Sequence, residues 1–233
     1  LVEPGDLFIA VPGAAADGHK FIPMAREKGA ACVLCEKIPE GDVPFVQVAD
    51  TRRALAVVGG NRFDHPAREL TMIGITGTSG KTTSTYLIKS ILEQKAGAKV
   101  GLIGTIQNMI GDRALHTERT TPESFELQRL LREMSDAGCT HVVMETSSHA
   151  LYLDRVYGVR YDVGIFTNLT QDHLDFHKTM ENKDINTELE AWLTFLSTDD
   201  PEQIYNLIRK FPIFRDMYED IFLLRVLAEL EDV

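Results

Sequence analysis

Cysteine is scarce: Cys32, Cys35 and Cys139 are the three in 233 residues. So small and odd a number excludes a disulfide framework and predicts a reducing compartment. Cys32 and Cys35 form a CxxC, but the stretch around them reads as a buried strand, where residues three apart face opposite ways. No second pair completes a zinc site, so both are expected in the core. Long apolar runs are also missing. Nothing approaches the ~18 to 20 residues of a membrane helix, and residues 1–13 lack the charged and apolar regions of a secretory leader. A cytoplasmic location follows as the expectation. Positive charge is in deficit, at a formal net charge of -11, which argues against nucleic acid or an anionic membrane as partner, although a local basic pocket for phosphates remains compatible. The chain opens at Leu1 rather than Met, in mid-pattern, which leads to the expectation of a missing N-terminal piece.

A hydrophobic content of 44% is enough to bury one large or two small domains. Residues 6–65 alternate short apolar runs (LFIAV, ACVLC, PFVQV) with helical patterns around PMAREKGA and TRRALAVVGGN, as an α/β unit does. A polar stretch at 64–69 then precedes a new apolar strand from Thr71 to Ile75. From there the order reads strand, Gly-rich turn, helix, strand, a hairpin across MIGDRAL, a helix after Pro122, strand HVVME, a short helix through HALYLDRV and strand DVGIFTN. This predicts a mostly parallel sheet whose ligands bind at the carboxyl ends of its strands. The expected organisation is a small N-terminal α/β domain at 1–68, a P-loop α/β domain at 69–183, and a tail at 184–233.

The tail differs in character. No glycine follows Gly164, and residues 184–233 hold twelve acidic against four basic side chains. Apolar residues recur at helical spacing, as in Leu189, Trp192 and Leu196, and Asp200 with Pro201 reads as an N-cap and first helical residue, so the tail is expected to be all helix.

The strongest chemical signal is Gly74-Ile75-Thr76-Gly77-Thr78-Ser79-Gly80-Lys81-Thr82-Thr83, between an apolar strand and a helix. Glycines let backbone N–H groups wrap phosphate oxygens, the helix adds its positive end, Lys81 offers a point charge, and the Thr82 hydroxyl suits Mg2+. The expected ligand is a nucleoside triphosphate. The match to G-x-x-x-x-G-K-[ST] is imperfect, because Ile75 stands at the first glycine's place.

TGTSGKTT is similar to the loop of the Mur ligases and their folylpolyglutamate synthase relatives. GDLFIAVPGAAADGHKFIPMAREKGAACVL, Thr120-Thr121-Pro122, METSSHAL and TNLTQDHLDFH resemble the branch that adds a third amino acid to UDP-N-acetylmuramoyl-L-alanyl-D-glutamate. The resemblance covers residues 3–183. It implies an ATP- and Mg2+-dependent ligase of peptidoglycan synthesis, in which a peptide carboxylate is phosphorylated to an acyl phosphate and the amine of diaminopimelate or lysine then displaces the phosphate to form an amide. It further implies that Gly77, Thr78, Ser79, Gly80, Lys81, Thr82 and Thr83 hold ATP, and that Thr82 and Glu145 hold Mg2+. His173 would bind a second magnesium, while Thr120, Thr121, Ser147 and Arg155 would bind the muramoyl dipeptide. Thr121-Pro122 also reads as the N-cap and first residue of the next helix.

The resemblance has limits. The family's Asp-Ser-Arg motif would precede Leu1, no lysine stands where a carbamylated one is expected after residue 183, and the amino-acid-selecting third domain is missing. The isolated chain is therefore expected to lack ligase activity. The tail faintly resembles the C-terminal helices of transposase-associated nucleases, which suggests a gene junction after Lys183. The competing classes are a nucleotide-binding module that docks a partner through Trp192 and Phe195, and a nuclease fusion.

Overall fold

The computed structural model describes residues 2–13, 16–168 and 223–226. The first unit contains β1 (Leu7–Ile9), α1 (Ile22–Glu27), β2 (Cys32–Cys35), β3 (Phe45–Gln47) and α2 (Thr51–Arg62). Its strands pair in the order β1-β2-β3, all parallel. Ala10, Ile22, Val33, Cys35 and Val43 make its core. Cys32 and Cys35 are free thiols, half-buried and buried respectively, in line with the core assignment. α2 begins where the Asp50 carboxylate accepts from Arg52 N–H and Arg53 N–H, satisfying two donors that have no helical acceptor.

After α2 the backbone turns through Asp64 and His65, at φ 59° and 48°, and enters β4 (Thr71–Thr76). Then follow α3 (Lys81–Ala96), β5 (Val100–Ile103), β6 (Asn108–Ile110), β7 (Arg113–Leu115), α4 (Ser124–Asp136), β8 (His141–Glu145), α5 (Ser148–Tyr152), β9 (Val163–Phe166) and β10 (Leu223–Val226). The sheet order is β10-β9-β4-β8-β5-β6-β7. β9, β4, β8 and β5 run parallel, β6 and β7 form the expected hairpin, and β10 is antiparallel to β9.

The central strands are almost wholly apolar because both faces are covered. Met72, Val142 and Met144 pack with Leu127, Leu131 and Met134 of α4 on one side. Ile73, Ile75, Val143 and Ile165 pack with Ile88 and Leu92 of α3 on the other. α2 closes on α4: a Cβ on Gly59 would lie 3.2 Å from the Phe125 Cα, and the Phe63 and Phe125 rings meet edge to face at 5.2 Å.

The expectation of an all-helical tail needs correction, because Leu223–Val226 is a strand hydrogen-bonded along β9. Helical periodicity measures only how apolar residues recur, whereas a sheet edge offers unpaired backbone donors and acceptors to any nearby apolar segment. The helices expected around Leu189 to Pro201 lie outside the described residues. Among those described, no helix is long and apolar enough to cross a membrane.

Candidate functional site

β4 ends at Thr76 and α3 begins at Lys81, so residues 77–80 must turn sharply. Gly77 (φ 125°) and Gly80 (φ 84°) supply the turn in conformations that side chains resist. At Gly77 crowding adds to this, since a Cβ would meet the Asn168 carbonyl oxygen at 2.8 Å and also the Thr167 hydroxyl. Thr167 and Asn168, just past β9, strap the loop. Thr167 Oγ1 donates to the Ser79 carbonyl at 2.7 Å, Ser79 N–H donates to Asn168 Oδ1 at 2.9 Å, and Thr78 N–H donates to the Asn168 carbonyl at 2.8 Å. Two of the expected loop donors thus bond to Asn168. The amides of Lys81, Thr82 and Thr83 stand at the positive end of α3, ahead of its first hydrogen bond, Ser84 N–H to Gly80 O at 2.9 Å. Lys81 Nζ lies over the loop and donates to the Gly77 and Thr78 carbonyls at 2.6 and 3.0 Å.

Glu145 is the last residue of β8, with 1% of its surface exposed. Its Oε2 accepts from the Thr82 hydroxyl at 2.9 Å and the Thr105 hydroxyl at 3.1 Å, while Oε1 accepts from Thr105 N–H at 2.9 Å. A buried carboxylate requires such donors, because desolvation otherwise makes its charge costly. The turn after β5 is shaped to it: a Cβ on Gly104 would lie 2.5 Å from Glu145 Oε1. A carboxylate and a hydroxyl at the C-terminal edge of a sheet are hard oxygen donors of the kind Mg2+ takes, with its other positions left to water and phosphate. The residues therefore fit that ion, and fit it without a cage of three or more His, Cys, Asp or Glu, of which there is none among the described residues.

The third group of side chains follows β7 and β8. Thr120 Oγ1 lies 3.0 Å from Thr105 Oγ1. Thr121 is fully buried; its hydroxyl donates to the Glu145 carbonyl at 2.8 Å and accepts from Ser147 N–H at 3.1 Å. It is not the cap of α4, as one reading expected: that cap is Glu123, in extended backbone and with no side-chain cap bond. As an acceptor, the Thr121 hydroxyl oxygen is taken by the Ser147 N–H rather than by an amide of the first turn of α4. Ser147 caps α5 by accepting from Ala150 N–H at 3.2 Å. Arg155 Nη1 donates to the Thr121 carbonyl at 3.3 Å, and its Nε lies 3.0 Å from Glu123 Oε1, off the line of a hydrogen bond. Burial pulls the Arg155 pKa below its ordinary value, while Glu123 acts in the opposite sense. Glu123 Oε2 also lies 3.7 Å from Nη1 of Arg52, whose Nη2 donates to the Pro12 carbonyl at 3.0 Å.

These groups open on one cleft of about 540 Å³. Of the residues singled out from sequence, Thr78, Gly80, Lys81, Thr82, Thr120, Thr121, Glu145, Ser147 and Arg155 line it. Gly77, Ser79 and Thr83 belong to the loop and the start of α3 without lining the cleft, and His173 lies outside the described residues. Sequence reasoning missed Gly104 and Thr105, and gave no role to Thr167 and Asn168, although these open the motif TNLTQDHLDFH. Their signal was position: each is a small or polar residue just past an apolar strand of a parallel sheet.

Fold and site together define a P-loop α/β protein with a buried carboxylate set against the loop. Residues 75–192 match the Mur ligase middle domain, and residues 1–62 match the Mur ligase family catalytic domain. The chain belongs to the Mur ligase family. It is 55% identical over 186 residues to the UDP-N-acetylmuramoyl-L-alanyl-D-glutamate–2,6-diaminopimelate ligase of Clostridium tetani, an alignment covering 78% of this chain and 38% of that protein. An enzyme of Clostridium acetobutylicum with the same activity in its name is 57% identical over 183 residues, again covering 78% and 38%. A solved structure of a 2,6-diaminopimelate ligase superposes with a TM-score of 0.71 at 25% identity, covering 91% of this chain and 45% of that one. The chain thus spans well under half the length of the relatives it matches.

Proposed function

We propose that this chain forms the nucleotide- and muramoyl-peptide-binding part of an ATP-dependent ligase that adds 2,6-diaminopimelate to UDP-N-acetylmuramoyl-L-alanyl-D-glutamate. The observation that supports it most is the single cleft joining Lys81, Thr82 and Glu145 to Thr120, Thr121, Ser147 and Arg155. Transfer of a phosphoryl group to a carboxylate requires both reactants within van der Waals reach and cationic groups wherever anionic oxygens crowd. One cleft lined by both sets meets the first condition, and Lys81 and Arg155 supply cations for the second. The activities named for the relatives favour diaminopimelate over lysine.

Each residue then has a definite task. Lys81 and the first-turn amides of α3 orient the ATP phosphates. Thr82 and Glu145 would hold Mg2+, which would screen the negative charge of the phosphates. Thr121 and Ser147 tie the end of β8 to the start of α5. This fixes Arg155 to receive a substrate carboxylate or pyrophosphate by charge-assisted hydrogen bonds. The test is calorimetric titration of the chain with MgATP and, separately, with UDP-N-acetylmuramoyl-L-alanyl-D-glutamate. Heat from both supports the reading, and absence of MgATP binding by folded protein overturns it.

A further inference from the structure

Thr105 has no part in the reading above, yet it makes two hydrogen bonds to the Glu145 carboxylate where Thr82 makes one. Its N–H reaches Oε1 at 2.9 Å and its hydroxyl reaches Oε2 at 3.1 Å, so one residue engages both oxygens. Gly104 gives the carboxylate room for this approach, and the turn is itself fixed, because Gly104 N–H donates to the buried Asn108 Oδ1 at 3.3 Å. A hydroxyl carries one proton. An ionised carboxylate only accepts, so the Thr105 proton goes to Glu145, and the 3.0 Å contact with Thr120 must take its proton from Thr120. The resulting chain runs from Thr120 through Thr105 to Glu145, and meets Thr82 at the same Oε2.

We infer that Thr105 is a positioning residue: it holds the Glu145 carboxylate in the orientation in which that group and Thr82 receive the metal of a metal-nucleotide complex. The inference rests on the assignment of Thr82 and Glu145 to Mg2+. The physical reason is that a glutamate carboxylate ends a side chain with three rotatable torsions, the last of them broad. Unless its oxygens are held, metal binding must pay to order them, and partners that fix a ligating carboxylate typically change metal affinity by about 10- to 100-fold. Thr105 is exposed at the rim of the cleft, so its hydroxyl contributes little to packing and its role is separable from folding.

The experiment is calorimetric titration of the 233-residue chain with adenylyl imidodiphosphate, in Mg2+ and again in EDTA, for the parent, Thr105→Val and Thr105→Ser. The expected result is that Thr105→Val loses about 10-fold or more in affinity in Mg2+, matches the parent in EDTA, and that Thr105→Ser restores the parent value. Thr105→Ala takes the place of Thr105→Val should the latter fail to fold. Equal affinities of parent and valine variant in Mg2+ overturn the inference while leaving the metal assignment standing. An equal loss in EDTA overturns it too, since the effect is then merely structural. A parent chain whose affinity does not rise with Mg2+ removes the metal assignment, and the inference with it.

Discussion

The hydroxyl of Thr82, in the first turn of α3, donates to the carboxylate of Glu145, at the end of β8, across 2.9 Å, although 63 positions separate them in the chain. Parallel pairing of β4 with β8 sets Ile75 beside Glu145, so the phosphate loop leaves one strand where the carboxylate ends the next. Glu145→Gln keeps shape and most hydrogen bonding but removes the charge. Nucleotide affinity should then become independent of Mg2+ with the melting temperature nearly unchanged. Titration with and without EDTA checks this, and persistent Mg2+ dependence would contradict it.

Lys81 lines the cleft and donates to the Gly77 and Thr78 carbonyls of the loop. Lys81→Ala should therefore cost nucleotide binding more than stability. A hydrogen bond to a charged group contributes about 1.5 to 3 kcal/mol, which corresponds to a loss of roughly 10- to 100-fold in affinity. Calorimetry alongside thermal melting separates the two effects, and an unchanged heat of binding would remove the phosphate-loop assignment.

Arg155 lines the cleft, held between Glu123 and the Thr121 carbonyl. Arg155→Met should weaken binding of UDP-N-acetylmuramoyl-L-alanyl-D-glutamate by at least about 10-fold, the scale of one lost charge-assisted pair, and leave MgATP binding intact. Loss of both together would mean that Arg155 supports the whole cleft rather than one substrate.

The seam between α2 and α4 depends on a missing side chain. A Cβ on Gly59 would press on the Phe125 backbone at 3.2 Å and on Gln128 Cγ at 3.4 Å. Gly59→Val adds further methyls at this contact and should destabilise by about 1 to 3 kcal/mol, the usual scale of overpacking. Urea denaturation reads it directly, and a variant as stable as the parent would show that α2 can shift off α4 freely.

Glu69 offers a test by pH. The Arg132 guanidinium, and then the Ser135 hydroxyl, hold its carboxyl down from 4.5 to about 2. A carboxyl depressed on folding stabilises the fold above its unfolded pKa, and that contribution fades as pH falls through the folded one. The melting-temperature advantage of the parent over Glu69→Gln should thus be full at pH 6 and decline between about 4.5 and about 2. An advantage that persists unchanged at pH 2 would show that the Arg132 contact does not act through the charge of Glu69.

Much of the site was legible because its chemistry is local. Gly77, Gly80 and Lys81 announce a phosphate loop, since a turn of four residues between strand and helix needs positive φ and a cation within reach of the same oxygens. Glu145 was legible as a charge at the end of an apolar strand. Thr105 was not, because nothing near it in the chain carries the carboxylate it holds. Asn168 was not, because the loop amides it engages are those of Thr78 and Ser79, 90 and 89 positions earlier.

The order of strands and helices, the buried character of β4, β8 and β5, and the loop itself were determined by the sequence alone, through periodicity, turn chemistry and charge. Only the tertiary structure decided which strand ends share a cleft, that Thr121 serves β8 rather than capping α4, and that Leu223–Val226 joins the sheet beside β9 instead of continuing a helix. Local pattern fixes what a segment can form by itself. Competition between hydrogen-bond partners far apart in the chain is settled only when the sheet brings them together.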